Sequence, residues 1–319
     1  MGLTAQGRAL RAAMACLAAV FPAAAQTSAP PAAQSFARPA SIPVPAANPL
    51  TRAAADLGRR LFNDPFLSQS GTRACASCHY PIQSFTDGLP KARAFGRELK
   101  RNTPALWNLA WAKRLFWDGR AASLEEQAIV PLTSAAEMGS SVAEAARRVA
   151  ARPGYAEGFA QAFPAWPQIT EENLLRALAS YERSLVSPPA RFDRWAGGDA
   201  AALSAEEARG FALFTGSAGC AACHSGIVFS DWQSHSLGAE AFRTPPLREI
   251  AYSAPYLHDG SAATLADALR AHGGAAVSME GKDREAVLAF LAALSSPAPP
   301  VAAPPLDADG AIVTHVTPD

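Results

Sequence analysis

The chain has 319 residues, a length that suits two ordinary domains. Its residues are 49% hydrophobic and 18% charged, which excludes a largely disordered or fibrous chain. Lys plus Arg and Asp plus Glu both number 28, and a net charge of zero gives no reason to expect nucleic acid or an anionic membrane as partner.

Residues 1–25 read as a secretory signal peptide. Arg8 and Arg11 are its positive start, Ala12 to Phe21 its apolar stretch, and Ala23-Ala24-Ala25 its cleavage region. That stretch is far short of the roughly 20 residues of a membrane span, so the expected product is periplasmic and not an integral membrane protein. Residues 26–47, rich in Pro, Ala and Ser, read as an extended, mobile leader. The regular segments that follow are helical. Ser123-Leu-Glu-Glu126 is a capping-box pattern opening a helix through Val130. Thr170 to Leu185 sets Leu174, Leu175, Leu178, Tyr181 and Leu185 on one face at helical period. Ser204-Ala-Glu-Glu207 opens a helix with Phe211 and Phe214. Thr264 to Ala271 and Lys282 to Leu294 complete the set, and no alternating strand pattern of useful length occurs.

The chain breaks at Val186-Ser-Pro-Pro189, and each side carries a leading helix, a Cys-x-x-Cys-His, a long loop region and a closing helix. The expected fold is therefore mainly α, with two cytochrome c-like domains at 48–187 and 188–296 and a flexible tail at 297–319.

Of five cysteines, Cys16 falls in the signal. The other four form Cys75-Ala-Ser-Cys78-His79 and Cys220-Ala-Ala-Cys223-His224. Each pattern fits attachment of a c-type haem: two thiols join the porphyrin and the adjacent imidazole binds its iron. Zinc ribbons place their cysteine pairs roughly 15–20 residues apart; here Cys75 and Cys220 are 145 apart (220 less 75). The expected cofactors are two covalent haems.

The second iron ligand sets the chemistry, because His or Met there suits electron transfer. Between Tyr80 and Cys223 there is no histidine, and the only methionine is Met138. The first haem is thus expected to be open and able to bind peroxide, with Met138 as the alternative closing group. Downstream of the second motif stand His235, His258, His272, His315 and Met279. His315 lies in the tail, and residue type and position do not choose among His258, His272 and Met279.

Four blocks in order, "LGRRLFNDPFLSQSGTRACASCHYPIQSFTDG", "RNTPALWN", "FWDGRAASLEEQAIVPLTSAAEMG" and "TPPLREIAYSAPYLHDGSAATLADAL", resemble the bacterial di-haem cytochrome c peroxidase and MauG family. The resemblance covers nearly all the ordered chain. It implies Glu137 as the distal acid/base at the peroxidatic haem, Gln127 as its polar neighbour and Trp117 as the tryptophan between the haems. It implies a calcium ion at Asn102, Ser253 and Pro255, and His272 as distal ligand of the second haem. Two departures stand out. The stretch "LPKARAFGRELK" lacks the histidine that closes the first haem of many family peroxidases, so no reductive activation is expected. His272 stands where the peroxidases have Met and MauG has Tyr. Since Met/His ligation raises the potential, His there lowers it.

The expected activity is reduction of hydrogen peroxide to water with electrons from a small cytochrome c or cupredoxin. The alternatives are a MauG-like oxidase that modifies a protein substrate and a non-enzymatic di-haem electron carrier. Many family members form a homodimer, and the sequence neither calls for nor forbids one.

Overall fold

A computed structural model describes residues 28–237, 240–273 and 279–299. The signal peptide, with Cys16, and the tail from residue 300, with His315, lie outside the described residues. Nine α-helices are found among the described residues: α1 Arg52–Phe62, α2 Leu124–Thr133, α3 Val142–Ala150, α4 Tyr155–Ala162, α5 Glu171–Ser184, α6 Arg191–Ala196, α7 Ala205–Thr215, α8 Leu265–Ala271 and α9 Gly281–Ala292. Two small antiparallel ladders accompany them: β1 Arg93–Ala94 with β2 Arg97–Glu98, and β3 Ser234–Leu237 with β4 Glu240–Arg243. The protein is mainly helical, and no described helix is long and apolar enough to cross a membrane.

Local chemistry explains where the helices begin. Thr51, Ser123, Ser141, Thr170, Ser204 and Thr264 each accept a hydrogen bond from a first-turn backbone N–H of the helix they precede. At α7 the box is complete, with Glu207 Oε2 accepting from Ser204 N at 2.8 Å. α2 continues past Val130 to Thr133 and takes in Pro131. A proline in the last turn removes one N–H without ending the helix, which the expectation of a stop at Val130 did not allow for.

The buried side chains form two principal cores. One gathers α1 to α5 around Phe62, Phe85, Trp107 and Phe159; the other gathers α6, α7 and α9 around Phe192, Trp195, Phe211, Phe214, Phe229 and Phe290. Aromatic edges meet faces in the second, as for Phe192 on Phe229 at 5.2 Å and Phe214 on Phe290 at 5.1 Å. The 28–47 segment, expected to be extended and mobile, is packed. Phe36 stacks on Phe229 at 4.9 Å, and Ala33 is fully buried beside it. Arg38 pairs with Asp193 and donates to the Ser187 carbonyl. Composition suggested a linker, but one aromatic and one arginine anchor the segment. Nor are the cores strictly sequential, since Val228 and Trp232 pack into the first.

The two halves repeat each other closely. Asn108 and Glu249 hold left-handed conformations before the short 3-10 turns Leu109–Trp111 and Ile250–Tyr252. Leu115 bridges Ala121 as Tyr256 bridges Ala262, and Ser123 caps α2 as Thr264 caps α8. All these pairs share one offset of 141 residues (249 less 108). The offset pairs Asn102 with Arg243 and Trp117 with His258. Those four residues also tie the halves together: Asn102 N–H donates to the His258 carbonyl at 2.9 Å, and Arg243 N–H donates to the Trp117 carbonyl at 2.8 Å. The seam thus has an approximate two-fold relation.

Each half also has one close helix crossing. A Cβ at Gly58 of α1 would lie 1.9 Å from the Ala177 carbonyl oxygen of α5, and one at Gly210 of α7 would lie 2.0 Å from that of Ala286 in α9. Backbone is the obstacle in both, so the helices must separate to admit a methyl group. Gly58→Ala and Gly210→Ala should each destabilise the protein by about 1–3 kcal/mol or more, seen as an earlier unfolding midpoint in denaturant.

Candidate haem-binding cavity

A single cavity of about 1250 Å³ runs along the seam and receives residues from both halves. It exceeds the roughly 300–1,000 Å³ of an ordinary single-ligand pocket. Cys75, Cys78 and His79 line it from the first half, and Cys220, Cys223 and His224 from the second. Both cysteine pairs sit on equivalent 3-10 turns, Cys75–Ser77 and Cys220–Ala222, and all four thiols are free rather than joined in disulfides. Desolvation around the Cys75 sulfur pushes its thiol up to about 12.

The histidines are oriented by one device used twice. His79 Nδ1 lies 2.9 Å from the Phe85 carbonyl oxygen, and His224 Nδ1 lies 3.0 Å from that of Phe229. A carbonyl only accepts, so each Nδ1 carries the proton and each Nε2 keeps its lone pair. Phe85 and Phe229 present these carbonyls from left-handed backbone, at φ 60° and 59°. Desolvation lowers both imidazole pKa values, that of His224 to about 4. Both rings are therefore neutral at neutral pH, the form that binds a metal.

The distal sides differ. His272 caps the C-terminus of α8, donates Nδ1–H to the Ala268 carbonyl at 2.7 Å, and faces His224 with ring centroids 6.2 Å apart. Two metal–imidazole bonds of about 2 Å, end to end with the inner half of each ring, span about 6 Å, so the pair fits a metal bound from both sides. His258 instead stacks on Phe242 at 3.8 Å, and His235 Nε2 is engaged by Asp231 Oδ2 at 2.7 Å. Met279 is buried in the second core and is not among the cavity-lining residues.

In the first half, the offset of 141 residues puts Pro131 where His272 stands in the second. Proline has no ligating side-chain atom. Among the described residues no histidine ring pairs with His79 as His272 does with His224. Gln127, Pro131, Glu137 and Met138 all line the cavity. Burial raises the Glu137 carboxyl, while Arg120 and a hydrogen bond to Ser134 pull it back.

Trp117 lies at the seam and donates Nε1–H to the Asn102 carbonyl at 2.9 Å. Asn102 in turn donates Nδ2–H to the Leu89 carbonyl at 2.9 Å, and its Oδ1 has no hydrogen-bond partner among the described residues. Ser253 and Pro255 line the same cavity.

Sequence reasoning did not single out Pro131, Glu182 or Arg243. Glu182 is a buried carboxyl on the cavity wall, pushed up to about 8 by desolvation against the opposing pull of Arg183. The 141-residue repeat was the available signal for Pro131 and Arg243; nothing local marks Glu182.

Comparison with known proteins agrees with this geometry. The family described as di-haem cytochrome c peroxidase matches residues 52–201. Over 251 residues the chain is 45% identical to the methylamine utilization protein MauG of Methylorubrum extorquens, covering 72% of this chain and 71% of that protein. It is 35% identical over 285 residues to the cytochrome c551 peroxidase of Nitrosomonas europaea, covering 81% and 84%. Among solved structures, a MauG-like protein associated with microbial copper homeostasis superposes with a TM-score of 0.75 at 28% identity, over 84% of this chain and 96% of that one.

Proposed function

Because the chain belongs to the di-haem cytochrome c peroxidase family, we propose that it is a periplasmic enzyme that reduces hydrogen peroxide at an open first haem and keeps its second haem closed. Cys75 and Cys78 would hold one haem covalently, and Cys220 and Cys223 the other, each within its own cytochrome c-like domain. The observation that carries this reading is the contrast between His272, whose ring faces His224 at 6.2 Å, and Pro131 at the matching place in the first half.

When bound, the haems supply iron that takes up peroxide and electrons. The chain's own residues do the rest. His79 would hold the first iron through Nε2, with the Phe85 carbonyl fixing its ring. His224 and His272 would hold the second, each ring fixed by a backbone carbonyl. Glu137 would accept a proton from one peroxide oxygen and deliver it to the other. With two further protons and two electrons, hydrogen peroxide becomes two waters. A half-buried carboxyl whose pKa desolvation raises is better able to hold and return a proton than an ordinary surface acid. Gln127 offers a neutral donor and acceptor beside it. Trp117, whose indole donates to the Asn102 carbonyl of its own half beside the seam, is the aromatic through which the halves exchange electrons. A calcium ion on Asn102 Oδ1 and the Ser253 and Pro255 carbonyls is part of the same proposal; its support is that Oδ1 is left without a partner.

The His224–His272 pair also bears on where the electrons come from. Two histidines give a lower potential than Met/His ligation, which disfavours uptake from a small cytochrome c or cupredoxin. It favours the second reading, a MauG-like enzyme drawing electrons from side chains of a partner protein.

Low-temperature EPR of the fully oxidised protein should show one high-spin and one low-spin ferric haem. Two low-spin signals would overturn the open-site reading and bring Met138 forward as the closing group. Glu137→Gln should load haem normally and react with peroxide about 100- to 10,000-fold more slowly; an equal rate removes Glu137 from the mechanism. Under the second reading, turnover with a reduced small cytochrome or cupredoxin is slower than decay of the peroxide-oxidised protein, as stopped-flow spectra will record. Fast donor turnover selects the plain peroxidase.

A further inference from the structure

The cavity wall carries a positive charge that the site described above leaves without a counter-ion. Arg243 ends β4 at the seam and is only 5% exposed. Its Nε donates to the Phe116 carbonyl at 3.0 Å and its Nη1 to the Thr244 carbonyl at 3.0 Å. Its Nη2 has no hydrogen-bond partner among the described residues, and the side chain lines the cavity. The other deeply buried arginines are arranged differently. Arg183 meets Glu125 at 3.1 Å, and Arg248 meets Asp193 at 2.8 Å. No described carboxylate pairs with Arg243.

Removing a guanidinium from water without an opposing charge is strongly unfavourable. Desolvation lowers Arg243 to about 10, and no neighbouring acid offsets it. The balance is restored if the cavity's occupant brings the anion. Guanidinium favours planar oxyanions, which it grips with paired N–H groups. The porphyrin that Cys-x-x-Cys-His motifs attach carries two propionate carboxylates of that kind.

We propose that Arg243 is the anchor for a haem propionate at the seam, taking the carboxylate on the Nη2 edge that the protein leaves unused. The assignment rests on the haem reading of the two motifs. It is one-sided: at the matching place the first half has Asn102, a neutral amide whose Nδ2 is already given to Leu89. Arg243 also donates its backbone N–H to the Trp117 carbonyl. The residue that holds the propionate therefore also holds the turn that presents Trp117, and Arg243 acts as a positioning residue for both.

The test is resonance Raman spectroscopy of the purified holoprotein, comparing wild type with Arg243→Gln, Arg243→Met and Arg243→Lys after haem content is measured. Propionate bending bands report hydrogen bonding at the carboxylate directly. The expected result is a shifted band in Arg243→Gln and Arg243→Met, and a position near wild type in Arg243→Lys, which keeps the charge. Arg243→Gln retains a donor for the neighbouring carbonyls, so it reads out the propionate even if Arg243→Met fails to accumulate. Two haems with unchanged bands in Arg243→Gln would overturn the assignment of Arg243 alone and leave it a clamp on Phe116 and Thr244. A wild-type protein that binds no haem would overturn the haem reading, and this assignment with it.

Discussion

Two backbone hydrogen bonds hold the seam on which everything else in this molecule depends: Asn102 to the His258 carbonyl, and Arg243 to the Trp117 carbonyl. Each half donates once and accepts once, which is the pattern of a two-fold axis. Other contacts tighten the same seam. Arg243 Nε reaches the Phe116 carbonyl, Arg101 meets Glu240 at 2.9 Å, and Gly260 lies so close to Pro90 that a Cβ there would approach its Cα to 2.2 Å. Because the bonds are main-chain, side chains at the four positions are free to differ. They do differ, as Asn against Arg and Trp against His. A symmetric frame thus carries an asymmetric lining.

The asymmetry is what gives the cavity its direction. Both motif histidines are set by the same Nδ1-to-carbonyl bond from a left-handed phenylalanine, and desolvation lowers the pKa of both. The halves part company only beyond those rings. One has a histidine facing across at metal-bridging distance; the other has a proline, with a glutamine and a carboxylate of raised pKa nearby. In the proposed reading, one half does chemistry and the other handles electrons, and very few side chains separate the two roles.

How much of this was legible in the sequence follows from the range of the interactions involved. Helix starts were readable because a cap is a bond between residues two or three apart, as at Ser204 and Glu207. The Cys-x-x-Cys-His motifs were readable because, in the proposed reading, one porphyrin would need all three side chains within five residues. Arg243 was not readable, since lacking a counter-ion is a property of everything that surrounds it. The leader was misread because Pro and Ala dominate its composition, whereas its placement depends on Phe36 meeting Phe229 and Arg38 meeting Asp193, both more than 150 residues away. The repeat was read only as an order of parts. Its constant offset is also present in the letters, since Thr-Pro-x-Leu at 103–106 and 244–247 and Asp-Gly-x-Ala-Ala-x-Leu at 118–124 and 259–265 recur 141 residues apart.

The packing of Phe36 constrains the order in which the protein can be completed. The second core is assembled from a piece near the start of the chain and from α9 near its end, with the whole first half lying between them. During synthesis or export the segment bearing Ala33, Phe36 and Arg38 emerges early and has nothing to pack against until Phe192, Phe211, Phe229 and Phe290 have followed. The first half encloses its own core from residues 52–185 with few later contributions and is able to condense sooner. The early segment then closes over the finished second half as a strap, joining Ala33 and Phe36 to α9 in one core.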